Sequence, residues 1–195
     1  AYSAAGIFIV GVIVALVSIV PFYTNLKQDQ ERNLQFALIT RTMAVEEYLS
    51  RIKDVAVQVT SRTKAREKLE EYNHGQVTLD EFANFSAAIL MDSLNHSTEI
   101  VGITRLDQQG EPVIQVGLPV PPEHWPVPDV KTTGALVRGP IQLGNGSYVV
   151  VGAPILDRQS QRVGTDIVLF ELSRLEEIVK DYAGLGETGE TILAM

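Results

Sequence analysis

The chain has no cysteine in its 195 residues. No disulfide can form and no thiolate can hold a metal, which removes the stapled secreted scaffolds and the cysteine-built zinc sites. Histidine is scarce, and His74, His96 and His124 are scattered without metal-ligand spacing. The glycine-rich segment 184–189 (GLGETG) lacks the lysine and the following helix of a phosphate loop. No serine stands in a nucleophile-elbow context. The adjacent pairs Glu46-Glu47 and Glu70-Glu71 diverge on helices instead of converging for acid–base work. Positive charge is in deficit: 16 Lys and Arg against 24 Asp and Glu, for a net charge of -8 and no basic stripe. That argues against a nucleic-acid partner and against an anionic-lipid-binding surface. The expectation is a chain that is not an enzyme, with no catalytic residue, no cofactor and no metal.

What the sequence does contain begins with a charge-free run, Ala4 to Tyr23 (AAGIFIVGVIVALVSIVPFY). About twenty helical residues at ~1.5 Å each span about 30 Å, the thickness of a bilayer's hydrocarbon core. In lipid the backbone must satisfy its own hydrogen bonds, so the run is expected to be a transmembrane helix over residues 1–24. Pro21 falls in its last turn and Tyr23 at the interface. Lys27 and Arg32 follow it with Asp29 and Glu31 interleaved, so charge codes orientation only weakly. The small residues Ala5, Gly6, Gly11 and Ala15 suit packing against other membrane helices. The chain starts without Met and stops at Met195 inside an apolar run, which reads as part of something longer.

From Asn25 to about Tyr72 there is no Pro or Gly, and one long helix is expected. Leu38, Val45, Ile52 and Val59 recur every seven residues, with Leu34, Tyr48 and Val55 between them and Arg41 breaking the series. This a/d-like stripe has two readings: a homodimer seam, or one amphipathic helix packed on its own domain. Asn73-His74-Gly75 ends the helix. Thr78-x-x-Glu81 is a capping box opening a second helix that ends near His96.

The period then changes from helical to alternating. Ile100 to Asp107 and Pro112 to Gly117 form a hairpin, followed by a proline-rich loop (LPVPPEHWPVPDV). Strands follow at 134–137, 141–143, 147–154 and 163–172, with Asn145-Gly146 as a two-residue turn signal. Ser173-x-x-Glu176 opens a closing helix, and 191–195 begins another strand. Helices gathered before an antiparallel sheet make an α+β domain.

That arrangement, with the phrases IVGITRLDQQGEPVIQVG, GPIQLGNGSYVVVGAPILD and VGTDIVLFELSRLEEIV, resembles a double-Cache domain, a PAS-like extracytoplasmic sensor of bacterial transmembrane receptors. The phrase GLGETGETILA resembles the opening of such a module's second lobe. The resemblance implies a long helix plus distal lobe over 25–183 and the start of a second lobe at 184–195. It implies a bacterial inner-membrane location, a periplasmic soluble domain, and an unknown small ligand between the sheet and the loop after the first hairpin. An amino-acid-binding subset uses two tyrosines, an arginine near a tryptophan, and an aspartate. Here Glu123-His124-Trp125 has no adjacent arginine, so that set is incomplete. Trp125, Arg138, Tyr148 and Asp166 are the ligand-binding candidates. Each also has a plain structural reading: Trp125 pinning the loop, Tyr148 half-buried on a strand, Asp166 facing solvent, Arg105 and Arg138 as surface charges. The expected function is ligand sensing passed to a membrane helix. The alternative is a single-pass accessory subunit of a larger membrane complex, whose Cache-like domain takes no ligand.

Overall fold

The computed structural model describes residues 2–127, 129 and 132–180. The chain divides into two compact units, one containing residues 1–44 and the other residues 45–178. Helix α1 spans Tyr2–Thr60 and passes through Pro21. Pro21 offers no N–H to the helix ladder, and the Thr24 hydroxyl donates to the Val20 and Pro21 carbonyls one turn on. Near its N-terminus this helix is long and apolar enough to cross a membrane, with a mean hydropathy of 1.7 over an 18-residue window.

The long helix does not reach Tyr72. It stops at Thr60, and α2 (Thr63–Asn73) begins after an extended Arg62. The hydroxyls of Thr60 and Ser61 donate to the carbonyls of Val57 and Gln58, at 2.8 and 3.1 Å. Side chains that bond locally to the backbone compete with helix propagation. The end of α2 follows expectation: Gly75 is left-handed at φ 70°, and the Gln76 amide reaches back to the Glu71 carbonyl. Helix α3 (Leu79–Asn95) opens on Thr78, whose hydroxyl accepts from the Glu81 amide.

The sheet contains β1 (Ile100–Leu106), β2 (Pro112–Gly117), β3 (Leu136–Leu143), β4 (Gly146–Leu156) and β5 (Arg162–Glu171). Their order is β2-β1-β5-β4-β3, every pair antiparallel. A short helix, α4 (Ser173–Lys180), follows. The two strands expected at 134–137 and 141–143 are one strand, β3, with a register shift between Arg138 and Ile141. The β3–β4 turn lies one residue earlier than expected. Leu143 pairs with Gly146, so the turn residues are Gly144 and Asn145, with Gly144 at φ 61°. Glycine at the first turn position suits a type II′ hairpin. The strand expected at 191–195 and the second-lobe segment at 184–195 lie outside the described residues.

Both sheet faces are covered. On one face Tyr48, Ile52, Ala56 and Val59 of α1, Leu69 of α2, and Phe82 and Leu90 of α3 pack on Ile103, Val151, Val168 and Phe170. For Ile52 and Val59 the stripe therefore serves the chain's own core. Both are buried there and closed to a dimer partner, while Leu38 is exposed. The other face carries Leu106, Ile141, Val150, Ile167 and Leu169, with Val120 and Trp125 of the proline-rich loop upon them.

Candidate functional site

Side chains alternate across a strand, so register assigns each candidate to a face. Tyr148 and Trp125 both pack on the loop-covered face. Arg138 pairs with Val150, a residue of that same face. Its guanidinium donates from Nη1 to the Glu123 carbonyl in the loop. The Trp125 indole N–H donates to the Val120 carbonyl at 2.8 Å, closing the loop on itself. Three of the four candidates thus gather around the segment 118–127, a strap over the sheet.

The strap lies close. A Cβ on Gly152 would collide with the Pro126 carbonyl oxygen, so the bare glycine is what lets the strap approach β4 here. Trp125 and Tyr148 are half-buried, Pro126 is buried and Arg138 is exposed. This face therefore carries two half-buried aromatic side chains, an exposed Arg138 bonded to the strap, and an apolar floor.

Asp166 is elsewhere. It pairs in register with Arg105 on β1 and Ala153 on β4, and Ala153 belongs to the helix-covered core. Asp166 and Arg105 are both fully buried, joined by two bonds of 2.7 Å from Nε and Nη2 to the carboxylate oxygens. The solvent-facing readings of Asp166 and Arg105 are thereby corrected. Strands β1 and β5 sit inside the sheet with both faces covered, so an alternating position there is not an exposed one. A signal was present: each residue is a lone charge inside an apolar strand run, and the two are opposite in sign.

Two further features surround the end of α1. Tyr48 donates its hydroxyl to the Glu171 carbonyl at 3.3 Å, and Arg51 pairs with Glu99 at 2.7 Å. Burial, then the nearby Glu99 carboxylate, pushes the Tyr48 phenol above its ordinary range. These bonds fasten α1 to the start of β1 and the end of β5. Beside them a cleft of about 160 Å³ opens between the last turns of α1 and α3, with Val55, Val59 and Ile100 below and Arg62 and His96 at the rim. That is smaller than the roughly 300–1,000 Å³ usual for small-molecule sites. Among the described residues no group of three His, Asp or Glu could hold a metal.

No protein-family model matches the chain, and no curated protein sequence matches it.

Proposed function

We propose that this chain is a membrane-anchored extracytoplasmic sensory domain of the double-Cache type, itself non-catalytic, which takes a small ligand under the strap and signals through α1. The observation that carries the reading is that Trp125 of the strap and Tyr148 of β4 pack into one apolar cluster on this sheet face, while Arg138 of β3 donates to the strap's Glu123 carbonyl. Apolar walls with a few converging polar groups are what a ligand site requires. Support also comes from element order: a long helix with an apolar start, then a hairpin, a proline-rich strap and three further antiparallel strands. The Tyr48 and Arg51 contacts supply a route, because a shift of the sheet at Glu99 or Glu171 pulls on α1. The ligand must favour one packing of strap and sheet over another for such a shift to occur.

The chain's single tryptophan lies in the strap, so its fluorescence reports the site directly. A screen of small metabolites against the detergent-solubilised chain should yield a compound that shifts Trp125 emission and raises the melting midpoint together. Arg138→Gln should abolish both responses. A compound that raises the midpoint equally in Arg138→Gln refutes the strap as the site.

A second reading, an accessory subunit without a ligand, is favoured by the close approach of Pro126 to Gly152. In that reading the strap itself fills the space a ligand would take. Co-purification of a stoichiometric set of other membrane chains, with no ligand response of Trp125, is its signature.

A further inference from the structure

We propose that the cleft between the last turns of α1 and α3 is a second small-molecule site, built for a short-chain monocarboxylate of about six heavy atoms. It lies on the helix-covered side of the sheet, away from the strap, and does not depend on what the strap binds. The cleft measures about 160 Å³. That is close to the roughly 150 Å³ of a protein cavity that takes a benzene molecule, so about six heavy atoms fit. The rim is open to solvent, with the Arg62 and His96 side chains 42% and 78% exposed. The floor is apolar and covered: Val59 and Ile100 are 6% and 5% exposed.

The rim fixes the polar end of the occupant. Arg62 stands in the extended joint between α1 and α2 and gives one nitrogen, Nη1, to Asp92 at 3.0 Å. Its Nε and Nη2 have no partner among the described residues, and that edge of a guanidinium receives a carboxylate side-on. Ser97, just past the end of α3, accepts from the Glu99 and Ile100 amides at 3.3 and 3.1 Å. Both lone pairs of its oxygen are then used, and its own proton is what it has left to give. Two donors at the rim call for an occupant with acceptor oxygens.

His96 decides the charge. Its Nδ1 lies 2.8 Å from the Asp92 carbonyl oxygen and 3.2 Å from the Asp92 carboxylate. A carbonyl only accepts, so Nδ1 carries the hydrogen and Nε2 is where a second proton goes. The charged groups around this ring are Asp92 on its own helix and Arg62 at the joint; the residues that α1 and β1 bring to the cleft, Val55, Gln58, Val59 and Ile100, are uncharged. Arg62 and Asp92 offset each other, so a protonated ring leaves the rim with one net positive charge, which matches a monoanion and not a phosphate dianion. The apolar body of the ligand covers the floor. A bound carboxylate thereby ties the last turn of α1 to the end of α3.

The probe is sodium butyrate, added at constant ionic strength to the detergent-solubilised full chain. Butyrate should shift the His96 ring resonances, assigned by their loss in His96→Gln, and should bind several-fold more tightly at about pH 6 than at about pH 8. Trp125 emission, which reports the strap, should stay unmoved. Neutral butyramide, of the same size and shape, should leave His96 unshifted. Arg62→Gln should remove the butyrate response, and Gln58→Trp, at the exposed rim, should block the cleft without touching the core. A butyrate response that survives in either variant, an equal response to butyramide, binding that tightens as pH rises, or no His96 shift at all overturns the site. Movement of Trp125 emission with His96 silent puts butyrate under the strap, which overturns the cleft and leaves the strap reading standing.

Discussion

Arg105 and Asp166 stand directly opposite each other on β1 and β5, 61 residues apart in sequence, and share two 2.7 Å hydrogen bonds with neither side chain exposed. A slip of one residue between these strands would leave the two charges on opposite faces of the sheet. The pair therefore fixes the register at the centre of the sheet. It does not follow that it adds stability, since desolvating two charges offsets much of their attraction.

Asp166→Ala strands a buried guanidinium, and Arg105→Met strands a buried carboxylate. Each single change should destabilise by about 3–5 kcal/mol. The double variant Arg105→Met/Asp166→Leu should recover most of that loss. Thermal denaturation of the solubilised chain, followed at Trp125, measures all three. A double variant no better than the singles argues that the pair does more than neutralise charge.

Two hairpins of the sheet share one turn. Asp107 Oδ1 accepts from the Gln109 and Glu111 amides, and Asp157 Oδ1 accepts from the Gln159 and Gln161 amides, all within 2.9 Å. The left-handed position is Gly110 at φ 89° in the first and Ser160 at φ 61° in the second. A side chain in that conformation costs roughly 1–2 kcal/mol, against about 0.5–1 kcal/mol for glycine's extra freedom when unfolded. Ser160→Gly should stabilise by about 0.5–1 kcal/mol and Gly110→Ala should destabilise by a similar amount. The opposed signs, read as shifts in melting midpoint, check the equivalence of the turns.

Gly152→Ala tests the strap. The added methyl meets backbone at Pro126, so neither partner has a flexible end to swing away. The expected cost is about 1–3 kcal/mol. Trp125 emission should move to longer wavelength as the strap lifts from the sheet. Unchanged emission with a lowered midpoint places the strain in β4 instead.

The Arg62 guanidinium holds the Asp92 carboxyl below its ordinary value by a direct 3.0 Å hydrogen bond. A carboxyl so lowered contributes stability above the unfolded carboxylate pKa, and that contribution is lost as pH falls through its folded pKa. The pair is exposed, so its contribution is small and screened by salt. In a carbon-detected NMR titration Asp92 should ionise at lower pH than a free aspartate, and Arg62→Gln should return it to the ordinary range. An Asp92 curve that ignores Arg62→Gln places the cause in neighbouring His96.

Local chemistry was legible wherever it was self-contained. The capping box at Thr78 and Glu81, the glycine stop at Gly75 and the bounds of β2 all follow from a few adjacent residues. The break at Ser61 was not legible, because two hydroxyl-bearing residues in a row are only a weak stop signal. Burial in the sheet interior was hidden for a different reason. In β5 eight consecutive residues, 163–170, are buried, so alternation no longer separates core from solvent. Of the candidate residues, Trp125 lies in the loop after the first hairpin, Arg138 is bonded to that loop, and Tyr148 belongs to the same apolar cluster as Trp125. The face of Asp166 depends on pairing with a strand sixty residues earlier.

The sheet order sets the timing of synthesis. The β1–β2 hairpin and the β3-β4-β5 meander are each local in sequence, and they join only where β1 meets β5. A nascent chain halted before Arg162 therefore carries its first hairpin with an open edge, and that edge holds Arg105 before its carboxylate exists. Until the last strand emerges, the half-built sheet leaves the facing edges of β1 and β4 without their hydrogen-bonding partner.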